Sequence, residues 1–195
     1  MTLYCATSNP GKAREFQLAA ERLAGPQLQV EIVPGLDALE PPQETGTTFA
    51  ENAALKAIYY SLSAPGPVFA DDSGLAVDAL GGAPGVYSAR YAGPAATDAD
   101  NNSLLLKQMR GLANRKAQFV CVIALAERGK LIETFTGVVE GELLEAPRGT
   151  GGFGYDPLFY FPPFACTLAE ATPEQKLLVS HRGQALKQLF GSIAR

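Results

Sequence analysis

The run Phe119-Val120-Cys121-Val122-Ile123-Ala124-Leu125-Ala126 stops at Glu127-Arg128-Gly129-Lys130, and a second strand-forming stretch follows over 131–139. Two β-prone runs around four turn residues describe a long hairpin, the connection that antiparallel strands permit. The chain begins differently. An apolar opener at 3–6 breaks at Thr7-Ser8-Asn9-Pro10-Gly11. Over 12–23, Phe16, Ala19, Ala20 and Leu23 then recur at helical spacing until Gly25-Pro26. Leu28, Val30 and Ile32 alternate with polar neighbours, the pattern of a half-buried strand. A strand–helix–strand opening with a later hairpin predicts an α/β fold, a mixed twisted β-sheet flanked by helices.

Composition narrows the class. At 195 residues the expectation is a single domain, 1–195, and 47% hydrophobic residues are enough to build its core. Charged residues are only 18% and the net charge is −4, so a sequence-independent nucleic-acid binder, which needs a basic face, is excluded. An anionic ligand must be met by a few placed cations or a metal. The three cysteines, Cys5, Cys121 and Cys166, are scattered, which argues against a disulfide framework and a cysteine zinc site. A single histidine, His181, removes any site built on two imidazoles. Residues 1–7 lack a signal-peptide pattern and the longest apolar run is too short for a membrane span, so the expected location is the cytoplasm.

Further elements follow from local signals. Thr48 and Glu51 form a capping box that opens a helix to about Leu62. Thr97 caps a helix over 98–110 closed by Gly111, and Thr172-Pro173 with Gln175 opens a short one. Ser180 caps the last, which carries Ala185, Leu186, Leu189 and Ile193. Val68-Phe69-Ala70 reads as a brief buried strand running into Asp71-Asp72-Ser73-Gly74, with 75–80 extended beyond it. Residues 149–156 are a glycine-rich loop.

Candidate chemistry sits where these signals are odd. Adjacent carboxylates at the end of a buried strand repel and lose hydration, so Asp71 and Asp72 either face a cation, magnesium being the natural one, or form an ordinary turn. Glu44 stands before a helix, where a carboxylate also answers the helix dipole. Lys56 shares a helical face with Phe49, Ala53 and Tyr60 and either snorkels outward or points at a bound anion. Thr7 to Lys12 offers free N–H groups, hydroxyls and a lysine at a helix start, a plausible phosphate cradle but not a P-loop, since Ala13 replaces the required Ser or Thr. The match of 149–154 to G-x-G-x-x-G fails as a dinucleotide motif, because Tyr155-Asp156-Pro157 follows where a helix should open. Phe153 in that loop is either core or a face for a planar base. His181 and Arg182 at a helix start run against its dipole, so an electron-rich partner is expected there.

Taken in order, Thr7-Ser8-Asn9-Pro10-Gly11-Lys12, Glu44-Thr45-Gly46-x-Thr48-Phe49-x-Glu51-Asn52-Ala53-x-x-Lys56-Ala57, Ala70-Asp71-Asp72-Ser73-Gly74-Leu75, Gly81-Gly82-Ala83-Pro84-Gly85-Val86-Tyr87-Ser88-Ala89-Arg90-Tyr91, Gly151-Gly152-Phe153-Gly154-Tyr155-Asp156-Pro157 and Ser180-His181-Arg182-Gly183-Gln184-Ala185 span the chain. Together they resemble the inosine/xanthosine triphosphate pyrophosphatase family. The resemblance implies an elongated mixed sheet with two lobes around a central cleft, usually as a homodimer. It implies magnesium-dependent cleavage of non-standard purine nucleoside triphosphates to monophosphate and pyrophosphate. By the same likeness Asp72 is proton acceptor and metal ligand, Glu44 its metal-binding companion and Asp71 a supporting ligand. Thr7, Ser8, Asn9, Pro10, Gly11, Lys12 and Lys56 would hold the phosphates. Ser73, Phe153, Gly154, Tyr155, Asp156, Lys176, His181 and Arg182 match substrate-binding positions, His181 and Arg182 as donors to a six-oxo purine. A pyrophosphatase for modified pyrimidines and a non-catalytic nucleotide sensor are the other readings.

Overall fold

Short connections between early strands and helices, and the tight turn later, dictate where the sheet is parallel and where it is antiparallel. The computed structural model describes residues 1–25 and 28–193, so Pro26 lies outside the described residues. Its strands are β1 (Thr2–Cys5), β2 (Gln29–Ile32), β3 (Val68–Val77), β4 (Lys116–Glu127), β5 (Lys130–Leu143), β6 (Phe159–Phe161) and β7 (Cys166–Thr167). The α-helices are α1 (Pro10–Ala19), α2 (Phe49–Tyr60), α3 (Asp98–Gln108), α4 (Pro173–Val179) and α5 (His181–Ile193). The strands hydrogen-bond in the order β2-β1-β3-β4-β5-β6-β7, the mixed sheet expected of an α/β fold. No described helix is long and apolar enough to cross a membrane.

By contact the chain divides into two units, each assembled from separate stretches of sequence. The first comprises Met1–Asp72, Cys121–Gly137 and His181–Arg195. Here β1 pairs in parallel with β2 (Leu3↔Val30) and with β3 (Cys5↔Phe69). Phe16 of α1 meets Phe69 edge to face at 5.0 Å, and α1 packs on α5, whose Ala185, Leu186 and Leu189 are buried. The second unit comprises Ser73–Val120 and Val138–Ser180. There β5, β6 and β7 pair antiparallel, and Leu75, Leu105, Phe119, Leu143, Leu158 and Phe159 form part of one buried cluster.

Capping sets the helix starts. Thr48 with Glu51, Thr97 with Asp100 and Thr172 with Gln175 each form a complete capping box. The hairpin turns on Arg128 and Gly129, both at positive φ (51° and 76°), the backbone that matches the right-handed twist of its strands.

Several local expectations shift. Helix α1 gives way at Ala20–Ala24 to a wider turn ending at Gly25, and α3 stops at Gln108, two residues before the expected close. Strand β2 leaves Ile32 exposed, because it is the edge strand and pairs only with β1. The larger correction concerns β3. Asp71, Asp72, Ser73 and Gly74 neither end the strand nor form a turn; they lie inside a continuous ten-residue strand that closes at Val77 into a 3₁₀ turn. Local propensity favours a turn at this sequence, and the cations described next override it.

Candidate active site

Each helix that flanks β3 in the first unit delivers a charged group to its central carboxylates. In α1, Pro10 begins the first turn and Asn9 caps it, its Oδ1 accepting from the Gly11 and Lys12 N–H groups. Those two amides are therefore taken, which corrects the expectation of free N–H groups at the helix start. The buried Thr7 hydroxyl accepts from Asn9 N–H (3.2 Å), Ser8 is exposed, and Lys12 Nζ lies 3.0 Å from Asp71.

Asp71 is surrounded by donors. Arg182 Nε and Nη2 each stand 3.3 Å from Oδ2, and Cys121 Sγ is 3.9 Å away. Arg182 Nη1 in turn holds Glu15 at 2.6 Å. Burial by itself favours the neutral acid, but Lys12, Arg182 and Lys56 outweigh it and hold Asp71 well below the usual carboxylate range. Burial likewise works against the charged Arg182, and Glu15 and Asp71 drive it further up. Both Asp71 oxygens are thus paired with cations. The electron-rich partner expected at the start of α5 is the protein's own pair of carboxylates.

Arg182 gets there because Gly137 of β5 lets α5 press against the strand. A Cβ on Gly137 would sit 2.0 Å from His181 O and 2.9 Å from Ala185 N, both backbone atoms that cannot step aside. Gly137→Ala is expected to destabilise the fold by about 1–3 kcal/mol or more. It should also cut turnover by moving the α5 terminus; thermal unfolding and kcat check both.

Asp72, one residue on, has a different environment. Asn52 Nδ2 donates to its Oδ2 (3.2 Å), and Lys56 Nζ lies 3.4 Å from Oδ1. Lys56 also binds Glu44 Oε1 at 2.8 Å. Its side chain is 14% exposed, so it points at carboxylates and the snorkelling alternative falls. Burial pulls Lys56 down, yet Asp72, Asp71 and Glu44 more than restore it and its net shift is upward. For Asp72 burial leads and Glu44's charge adds to it, so its carboxyl is raised despite Lys56, Lys12 and Asn52. The two neighbouring carboxyls are thus shifted in opposite directions, Asp71 down among its cations and Asp72 up through burial and the charge of Glu44.

Asn52 and Glu15 escaped the sequence reading. Asn52 is fully buried and also accepts from Gly46 N–H (2.8 Å), tying the loop of Glu44 to Asp72. Its only signal is an amide on the apolar face of α2, and that of Glu15 is its place one turn after Lys12. Burial keeps the Cys5 thiol protonated, pushed up to about 12, and raises Cys121 too, so neither is a ready nucleophile.

In the second unit the loop 149–156 is organised by Asp156. This buried carboxylate accepts from Phe153 N–H (2.9 Å) and pairs with buried Lys176 of α4, whose ammonium lies 5.0 Å from the Phe153 ring centroid. Gly152 has φ +68°, and a Cβ there would fall 2.1 Å from Asp156 Oδ2. Phe153 is half-buried, so the core and base-facing readings each keep part of its surface. Tyr155 is not a surface contact; it is buried and its hydroxyl donates to Ser88 O (2.8 Å). Ser73 is half-buried in β3 and His181 is buried at the first position of α5.

A model of the Ham1 family matches residues 3–192. The chain is 50% identical over 202 residues to the dITP/XTP pyrophosphatase of Acidobacterium capsulatum, covering 99% of this chain and 98% of that one. It is 51% identical over 192 residues to the Thermus thermophilus dITP/XTP pyrophosphatase, covering 97% and 90%. Among solved structures, the Staphylococcus aureus Ham1 protein aligns with a TM-score of 0.86 at 39% identity, covering 100% of this chain and 98% of that one. A HAM1 protein from Coxiella burnetii gives 0.87 at 40%, with the same coverage.

Proposed function

The chain belongs to the Ham1 family, and from that premise we propose that it hydrolyses non-standard purine nucleoside triphosphates, such as dITP, ITP and XTP, to monophosphate and pyrophosphate. The observation that carries this reading is the pair of unlike neighbours on β3: Asp71 locked between Lys12 and Arg182, and Asp72 raised and shared among Asn52, Lys56 and the charge of Glu44. A buried carboxyl raised beside a fixed anion supports a proton acceptor over a pure binder.

Glu44 and Asp72 converge on a single ammonium, which supports their holding one divalent cation as well. No group of three or more His, Cys, Asp or Glu side chains suited to a metal occurs among the described residues. Two carboxylates suit magnesium, which fills its remaining positions with water and phosphate oxygens. Bound there, it would make a neighbouring water more acidic and polarise the phosphate. The protein's own work is then proton transfer and charge neutralisation. Asp72 accepts the proton of the attacking water; the new bond forms at the α-phosphorus and the bond to the β-phosphate bridging oxygen breaks. Lys12 and Lys56 offset the charge that gathers on pyrophosphate as it leaves. Thr7, Ser8, Asn9, Pro10 and Gly11 shape the phosphate end of this reading, Asn9 as the cap that orients Lys12.

The purine is assigned to Phe153 and Lys176, which Asp156 holds together in the second unit, with Ser73 and Gly154 as further substrate contacts; the donor to a six-oxo oxygen is assigned to His181. Arg182 serves Asp71 and Glu15. A six-amino purine would set donor against donor, so inosine and xanthosine triphosphates are expected to exceed ATP in kcat/KM by at least about tenfold. A panel of nucleoside triphosphates with magnesium, read by pyrophosphate release and product identity, tests this. Comparable values for ATP, or diphosphate plus phosphate as products, would sink the reading. Chelation of divalent metal should abolish turnover. A homodimer and a cytoplasmic location complete the proposal, the first to be checked by light scattering.

A further inference from the structure

Part of what holds Phe153 in place lies outside its own loop. Asp98 and Asn102 lie one helical turn apart on α3 and grip both polar groups of Gly154: its N–H donates to Asp98 Oδ2 at 2.6 Å, and its C=O accepts from Asn102 Nδ2 at 2.9 Å. Asp98 is spared for this because Thr97 and Asp100 already complete the capping box of α3. Its place in the first helical turn also suits an ionised carboxylate. Phe153 is pinned on its other side by Asp156, which takes its N–H and returns its own N–H to the Phe153 carbonyl (3.3 Å). The peptide carrying the Phe153 ring is therefore held from α3 and, through the Lys176–Asp156 pair, from α4. Of these supports only the α3 pair reaches Gly154 directly with side chains.

We infer that Asp98 and Asn102 are positioning residues for nucleoside binding, acting through Gly154 to set the Phe153 ring against the purine. The inference rests on the proposed role of Phe153 towards the base. Neither side chain touches the groups assigned to water activation or to the phosphates, so their loss acts on affinity for the nucleoside portion and not on the chemical step. Each donates or accepts one hydrogen bond to the loop, and one such bond corresponds to about tenfold in affinity.

The test compares two competitive inhibitors, inosine monophosphate for the nucleoside end and inorganic tripolyphosphate for the phosphate end, on the full-length enzyme. Asp98→Ala and Asn102→Ala are each expected to raise the inhibition constant of inosine monophosphate and the KM for inosine triphosphate by about five- to tenfold. Tripolyphosphate inhibition and kcat should stay within about twofold. Asp98→Asn keeps an acceptor oxygen for the Gly154 N–H and should recover most of the loss, which a general loosening of α3 would not allow. Phe153→Ala supplies the separate control. If it leaves inosine monophosphate unaffected, the base-facing role of Phe153 is wrong. If it weakens inosine monophosphate while the α3 variants do not, or if those variants weaken both inhibitors equally, the positioning role is overturned.

Discussion

Asp72→Asn is expected to lower kcat for inosine triphosphate by about 10²–10⁴-fold, with melting temperature and circular dichroism nearly unchanged. The replacement is isosteric, and asparagine keeps an oxygen to accept from Asn52 or Lys56. Lys56 still has Glu44 at 2.8 Å, so no buried ammonium is stranded. What vanishes is the proposed proton acceptor and one of the two carboxylates proposed to share a cation. Stability and activity therefore separate at this position. Pyrophosphate release under saturating substrate measures the loss, and turnover within about tenfold of the parent would remove Asp72 from its role.

Much of this organisation was legible because its causes are local. A capping box couples residues three apart, so Thr48, Thr97 and Thr172 announced their helices. The turn at Arg128-Gly129 follows from four consecutive residues. The order of motifs resembling a known family pointed at Lys12, Glu44, Lys56 and Asp72, and the structure brings these together with Asp71 in one unit. What stayed hidden depends on distant partners. Asp71 read equally as facing a cation or as a turn residue because its counter-ion Arg182 lies 111 positions away, and Arg182 looked in need of a ligand because Glu15 is 167 positions away. Asn52 was hidden for another reason: a buried amide on a helix betrays nothing until both of its partners are known. Tyr155, sitting within a motif of expected site residues, lies in the buried cluster, since proximity in sequence does not decide which way a side chain faces in a loop.

The largest effect on stability is expected at Asp71. Both of its oxygens receive cationic donors, Lys12 on one side and Arg182 on the other. An asparagine offers one acceptor and one donor, so one of the two cations must face an N–H group in a buried place. Breaking a buried ion pair from one side costs about 3–5 kcal/mol. For a chain of this length that corresponds to a fall in melting temperature of about 10 °C. The pH dependence has a definite sign. Asp71's carboxyl is depressed in the folded state, so its contribution is complete above the unfolded carboxylate value, about 3.9, and is lost only as pH falls towards the lower folded one. The gap between parent and Asp71→Asn should hence be constant from neutral pH down to about 5 and narrow only in stronger acid. Arg182→Met should cost a similar amount, because it leaves Asp71 and Glu15 without their guanidinium. The double variant should be less damaging than the two losses added together, since each partner's removal relieves the other's isolation. Strict additivity, or a loss at Asp71 below about 1 kcal/mol, would mean that the network does not hold β3 and α5 together. Asp72 would then need another explanation for the rigid backbone on which its role depends.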